Sequence, residues 1–235
     1  MILVVNGDSH TAGAEAVNQH SFAYDDGNYY HMGRQPHPDN LRVSWGIKLS
    51  KMLAATPHIL AESASSNRRI LRTTRQFLNQ KWDGNDDILV VIQWSTWERE
   101  EWEIDGEMFQ VNASGIDHVP DSHKKKYKEF VANVDWQECT RRWHKEIWKF
   151  HNELTKKNIP HIFFNGNTDF SSIRDQKDWG TSYIGPYDKN QTYHNQLQAL
   201  GHNTVSKDSY HYDEQAHSEW SKFMIRYILD NKIIS

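Results

Sequence analysis

Apolar residues fall along this chain in short uninterrupted runs that alternate with stretches of helical spacing. Residues 2–5, Ile-Leu-Val-Val, form a run with no polar break, the pattern of a strand covered on both faces. Asp87 leads into Ile88-Leu89-Val90-Val91-Ile92, the clearest strand in the chain and one expected at the centre of a parallel sheet. Shorter strands are expected at 58–62 and 161–164. A helix is predicted over 41–54, capped by Asn40, with Trp45, Leu49, Met52 and Leu53 on its inner stripe. Another, over 66–79, turns Ile70, Thr74, Phe77 and Leu78 inward and gathers Arg68, Arg72 and Arg75 on a separate side, either a solvated face or a contact for an anionic ligand. Trp136, Cys139, Trp143, Ile147, Phe150 and Leu154 recur every three or four residues, which predicts a long helix over 136–157, stopped by Asn158 and Pro160. A last helix is predicted over 214–229, with Trp220, Phe223, Met224 and Ile228 buried.

Strands alternating with helices imply a three-layer α/β/α sandwich around a central, mostly parallel sheet. The polar stretches 18–38, 97–135 and 168–200 read as loop insertions on a single domain spanning 1–235. Ligands in such folds collect at the carboxyl ends of the strands. Here those ends carry polar residues at 6–11, 62–67, 93–99 and 165–169.

Composition narrows the function classes. With 235 residues, 37% hydrophobic and 25% charged, the chain can build one good core. A net charge of −4 lacks the basic excess of a protein held on nucleic acid through phosphate contacts, so no nucleic-acid partner is expected. The single cysteine, Cys139, excludes an intramolecular disulfide and a thiolate metal centre. No apolar window reaches the length of a membrane helix, no membrane partner is expected, and the opening Met-Ile-Leu-Val-Val has none of the marks of a signal peptide. Neither a P-loop nor a glycine-rich dinucleotide fingerprint occurs.

The chemistry-bearing residues lie at the two ends. Ser9 follows the first strand in "VVNGDSHTAG", and Asp208 and His211 share a loop before the last helix in "KDSYHYDEQAHSEW". A serine hydroxyl is too weakly acidic to attack unaided, whereas a histidine near its ordinary pKa can take the proton as attack proceeds, and a carboxylate can orient that histidine. The Ser9 N–H is placed to face a developing oxyanion.

Gly7-Asp8-Ser9 with Thr11 resembles the first block of the SGNH (GDSL-type) hydrolases, and Asp208-Ser209-Tyr210-His211 resembles their final Asp-x-x-His block. The resemblance implies the SGNH-hydrolase, flavodoxin-like form of the sandwich, with Ser9 as nucleophile and Asp208 and His211 as acid and base, and no cofactor. The middle blocks depart from the family pattern. No glycine stands in "AESASSNRR", so Ala64 or Ser65 would offer the backbone oxyanion donor; no Gly-x-Asn-Asp follows the third strand, so Asn67 would offer the amide. In overall style, including Ser66-Asn67-Arg68 and Trp94-Ser95, the chain is similar to SGNH-like proteins carried by bacteriophages. The lack of a signal-peptide pattern leads one to expect a cytoplasmic protein where it is made, and the phage resemblance, if it reflects origin, implies a host cytoplasm or a virion.

The favoured function is serine-dependent hydrolysis of an O-acyl ester, on a small molecule or a glycan, through an acyl-enzyme. Two alternatives stand beside it. One is a catalytically impaired SGNH-fold protein that binds or builds part of a phage particle, since the loss of one oxyanion donor costs about 3 kcal/mol of transition-state stabilisation. The other is a metal-dependent phosphoesterase in which Asp8 and His10 hold the first ion. The aromatic residues Tyr24, Tyr29, Tyr30, Trp94, Trp97, Trp179 and Tyr183 serve either to pack the loops or to offer a sugar or acyl surface. The oligomeric state stays open.

Overall fold

The structure, a computed structural model, describes residues 1–20, 35–84, 86–113 and 119–234. Most of the expected 18–38 insertion, with Tyr24, Tyr29 and Tyr30, lies outside the described residues.

The β-branched first run becomes β1 (Ile2–Asn6), and β2 (Thr56–Ile59), β3 (Ile88–Trp94) and β6 (His161–Asn165) join it in a parallel sheet of order β2-β1-β3-β6. Residues of a strand alternate between faces, and both faces here are covered. Leu3 and Val5 of β1 pack with Trp45 and Leu49 of α3 (Trp45–Met52), Leu197 of α7 (Tyr193–Ala199), and Trp220, Met224 and Ile228 of α8 (Glu214–Asp230). Val4 packs on the other side with Ile70 and Phe77 of α4 (Asn67–Gln80) and Ile147, Phe150 and Leu154 of α6 (Trp136–Lys156). The result is a mixed α/β architecture, a parallel sheet with helices on both faces.

Chain order explains where a cavity can form. From β1 the chain passes over α3 to β2 at one side, then crosses by α4, on the opposite face, to β3 at the other side of β1. The connections leaving β1 and β2 therefore diverge, and a crevice opens at the carboxyl ends of the central strands.

Several elements differ from the sequence expectation. Asn40 does not cap a helix over 41–54; it lies inside α2 (Pro38–Val43), and Ser44 breaks the chain between α2 and α3. Its buried amide instead takes the Val17 and Asn18 N–H groups on Oδ1, at 3.0 and 2.8 Å, and donates to the Asn18 and His20 carbonyls. Met52 is half exposed rather than part of the inner stripe, because α3 ends there. The described part of the 97–135 stretch is more than a loop. It folds β4 (Glu100–Ile104) and β5 (Glu107–Val111) as an antiparallel hairpin, followed by α5 (Lys124–Asn133). Trp102, Ile104, Phe109 and Val111 alternate onto one face and bury Tyr127 of α5 in a small core of their own. Asp105 and Gly106 make the turn with φ of 52° and 86°, the left-handed pair that a two-residue hairpin demands. Within 168–200 the structure adds α7. Trp94, Trp97, Trp179 and Tyr183 are buried in the core, Trp97 stacked on Phe170 at 4.5 Å.

Candidate functional site

Ser9 opens α1 (Ser9–Ala12), a single turn started by Asp8 and stopped by Gly13 at φ 75°. A Cβ at Gly13 would come within 2.7 Å of the Asn40 carbonyl oxygen, so only glycine lets this turn sit against α2. Asp8 is buried, and its carboxylate collects four donors: the His10 N–H at 3.1 Å, Gln93 Nε2 at 2.8 Å, Ser95 Oγ at 2.7 Å and Arg99 Nη1 at 3.2 Å. Burial opposes the charge, but the Arg99 guanidinium, the Ser95 hydroxyl and the His10 backbone N–H outweigh it and hold the carboxyl below its usual value. With both oxygens occupied this way, Asp8 anchors the turn rather than presenting a ligand to an ion. Among the described residues no three His, Cys, Asp or Glu side chains converge closely enough to hold a metal.

A cavity of about 290 Å³ opens over this turn, lined by Ser9 and His10 from the β1 end, Ser63 and Ala64 after β2, Arg99 after β3 and Asn167 after β6. Its remaining wall is the loop before α8, with Asp208, Ser209, Tyr210 and His211, together with Glu15 and Asn112. The structure thus brings Ser9 and His211, distant in sequence, to one cavity, although no hydrogen bond joins Ser9 Oγ to His211 among the described residues.

The carboxylate beside His211 is Glu15. Its Oε2 lies 2.8 Å from His211 Nδ1 and also takes the Ser209 hydroxyl. The bond from His211, opposed by partial burial, holds the Glu15 carboxyl below its usual value, so it accepts and His211 Nδ1 carries the proton. Nε2 is then the nitrogen left to accept from a hydroxyl. Asp208, the sequence candidate for this position, is exposed on the turn closed by the Ser209 N–H to the Ser206 carbonyl; it lines the cavity without bonding to His211. Glu15 adopts φ 63°, a left-handed conformation uncommon outside glycine, and the Glu214 N–H to Ala16 carbonyl bond of 3.2 Å ties its segment to the start of α8.

The three candidate oxyanion donors after β2 separate. Ala64, at φ 63°, lines the cavity, and its N–H, like that of Ser9, has no acceptor among the described residues. Ser65 is fully buried and its N–H is given to the Glu62 carbonyl at 3.3 Å. Asn67 is fully buried at the first turn of α4, capped by Ser66; its Oδ1 takes the Ser95 N–H at 2.8 Å and its Nδ2 donates to the Ser95 carbonyl at 3.0 Å. Those bonds fix the β3 exit loop and leave the amide nothing to offer the cavity. Two residues the sequence reading passed over also line it: Ser63, whose hydroxyl is itself buried and has no partner among the described residues, and Asn167, whose Nδ2 lies 3.5 Å from His10 Nε2.

His10 sits edge-on to His211, ring centroids 5.2 Å apart. Burial pushes its pKa down to about 3 against the pull of Asp8, so His10 is neutral at pH 7 and adds no charge next to His211. Burial likewise holds His217 at about 3 and His161 at about 4, both well below the ordinary 6.5. The unfolded chain binds protons on these three histidines from about pH 6.5 downward, while the folded chain does not until near pH 4 or 3; the stability they contribute is complete above 6.5 and drains away as pH falls through that window. Thermal melts from neutral pH to about pH 4 are therefore expected to show a steadily falling Tm; a flat profile would contradict the neutral burial of these rings.

A family model matches residues 35–159, more than half of the chain. The chain belongs to a family of unknown function, DUF6071. The DUF6071 match takes in Ala64, Ser65, Asn67 and Arg99 and stops short of Ser9, Glu15 and His211 on either side. No curated protein matches. Among solved structures, an acetyl xylan esterase (Est2A) from the rumen bacterium Butyrivibrio proteoclasticus aligns with 14% identity and a TM-score of 0.43, over 97% of this chain and 63% of that one. This DUF6071 chain thus spans less than two thirds of that enzyme, and a likeness so distant assigns it no activity.

Proposed function

We propose that the chain is a serine ester hydrolase of SGNH type in which Glu15, rather than Asp208, orients the histidine. The observation that carries this reading is the 2.8 Å contact between Glu15 and His211 Nδ1 at the wall of the cavity that Ser9 lines. Substrate closes the remaining gap, since the hydrogen bond from nucleophile to base commonly tightens only in the complex. His211 Nε2 takes the Ser9 proton as Oγ bonds to the ester carbonyl carbon. The Ser9 and Ala64 N–H groups face the oxyanion. Collapse breaks the bond to the alcohol oxygen, which leaves with the proton from His211. Water then gives a proton to His211 as it attacks the acyl-Ser9 ester, and collapse releases the carboxylic acid while His211 returns that proton to the departing Ser9 oxygen. Tyr210, 69% exposed at the cavity wall, offers a flat aromatic surface suited to a sugar ring and supports a glycan ester as substrate.

Hydrolysis of p-nitrophenyl acetate through octanoate tests the reading. Glu15→Gln is expected to lower kcat at least about 100-fold by removing the charge that stabilises protonated His211, while Asp208→Asn stays within about twofold. The reverse order would return the acid role to Asp208. Absence of turnover with every ester, natural glycan esters included, would favour a binding protein that keeps the site but not the chemistry.

A further inference from the structure

Beside the Ser9 cavity, and sharing Arg99 with it, lies a groove of about 550 Å³ between α4, α6 and the start of β4. Five arginines line it against three glutamates. The glutamates are already neutralised: Glu101 takes both Arg72 Nε and Nη2, at 3.0 and 2.6 Å; Glu100 meets Arg142 at 3.4 Å; Glu146 meets Lys149 at 2.6 Å. Arg75 is held by Glu153 at 2.9 Å and Arg99 by Asp8 at 3.2 Å. Arg68, exposed on the first turn of α4, has no acidic partner among the described residues, which leaves one uncompensated guanidinium in the groove. Leu71 and Trp143 supply an apolar floor, the indole fixed by its bond to the Trp97 carbonyl at 2.9 Å. An apolar floor lowers the local dielectric and strengthens a charge contact made above it. A guanidinium there presents paired N–H donors that match the two oxygens of a carboxylate or the edge of a sulfate.

We propose that this groove is a specificity subsite for an anionic substituent of the ester substrate, a carboxylate or sulfate on a sugar, with Arg68 as the recognising residue and Arg99 at the junction with the Ser9 cavity. The assignment of a substrate to the groove rests on the ester-hydrolase reading of the neighbouring cavity. It predicts that an acidic acylated sugar outcompetes its neutral counterpart, and that the preference weakens as salt screens the contact.

The test compares kcat/KM for O-acetylated methyl glucuronoside, the matching sulfated glucoside and the neutral glucoside, in wild type, Arg68→Glu and Arg68→Lys. The wild type is expected to favour one acidic ester, and which one identifies the anion. In Arg68→Glu the ratio of acidic to neutral kcat/KM is expected to fall at least about tenfold, with part of it restored in Arg68→Lys, which keeps the charge but loses the fork. An equal ratio in wild type and Arg68→Glu overturns the proposal. Should no ester be hydrolysed, the ester-hydrolase reading falls by itself, and the groove is judged by binding to the Ser9→Ala protein. A saturable NMR shift of the Trp143 indole with the glucuronoside or sulfated glucoside, absent with the neutral glucoside and lost on adding Arg68→Glu, supports the subsite; equal shifts for all three sugars, or none, overturn it.

Discussion

Ser9→Ala and His211→Ala are each expected to lower kcat/KM on short acyl esters by at least about 1,000-fold, with thermal melts close to wild type. Neither side chain is deep in the core: Ser9 is 9% exposed at the cavity floor and His211 stands on its wall, so truncation removes chemistry without opening a cavity inside the fold. Because proton removal and attack are one event, the double variant is expected to be little worse than either single one. Measured under saturating and limiting ester, the loss is expected in kcat rather than KM, since neither group holds the ground-state substrate. Turnover that survives Ser9→Ala and disappears with a chelator would remove serine chemistry from this site.

The largest expected loss of stability comes from Asp8→Ala, at about 3 kcal/mol, read as a shift in the urea midpoint with unchanged slope. Asp8 is 3% exposed and accepts from the His10 backbone, Gln93, Ser95 and Arg99, so its removal strands several buried donors and leaves the Arg99 charge without its partner. Gln93 also accepts from the Thr11 hydroxyl at 2.7 Å, which couples the loss to α1 itself. Arg99 is about one fifth exposed and can recover some solvation, which is why the expectation sits at the low end for a broken buried pair. Asp208→Ala, on an exposed turn, serves as the control. A midpoint shift for Asp8→Ala no larger than that of the control would show that the buried network contributes little.

Elements whose burial follows a strict period were legible from the sequence. The run Ile88–Ile92 and the three-or-four-residue spacing of Trp143, Ile147, Phe150 and Leu154 state their own environment, because a residue's face is set by position along its own element. The β4–β5 hairpin was missed although Asp105-Gly106 stands between Trp102 and Ile104 on one side and Phe109 and Val111 on the other; the four glutamates of 98–103 masked the alternation. One of them, Glu101, is 2% exposed, a position no polarity rule assigns to a carboxylate, and it is tolerated because Arg72 and Gln110 satisfy it from other elements. The helix α7 hid in a polar stretch because Tyr193 and Leu197 alone are buried in it.

The sequence by itself determined the sheet-forming runs, the long helices and the presence of Ser9 and His211 at strand and loop ends where a site could form. Only the tertiary structure decided what surrounds them. Glu15 reaches His211 from 196 residues away because Gly13 and Asn40 turn the chain after α1 and the Ala16 carbonyl pairs with the start of α8. Asn67 reads as a donor in sequence, yet folding gives its amide to Ser95, and the groove charge on Arg68 emerges only once Glu101 is seen to belong to Arg72. Local pattern reports on neighbours a few residues apart, whereas charge pairing and hydrogen-bond availability depend on which distant groups arrive first at each polar atom.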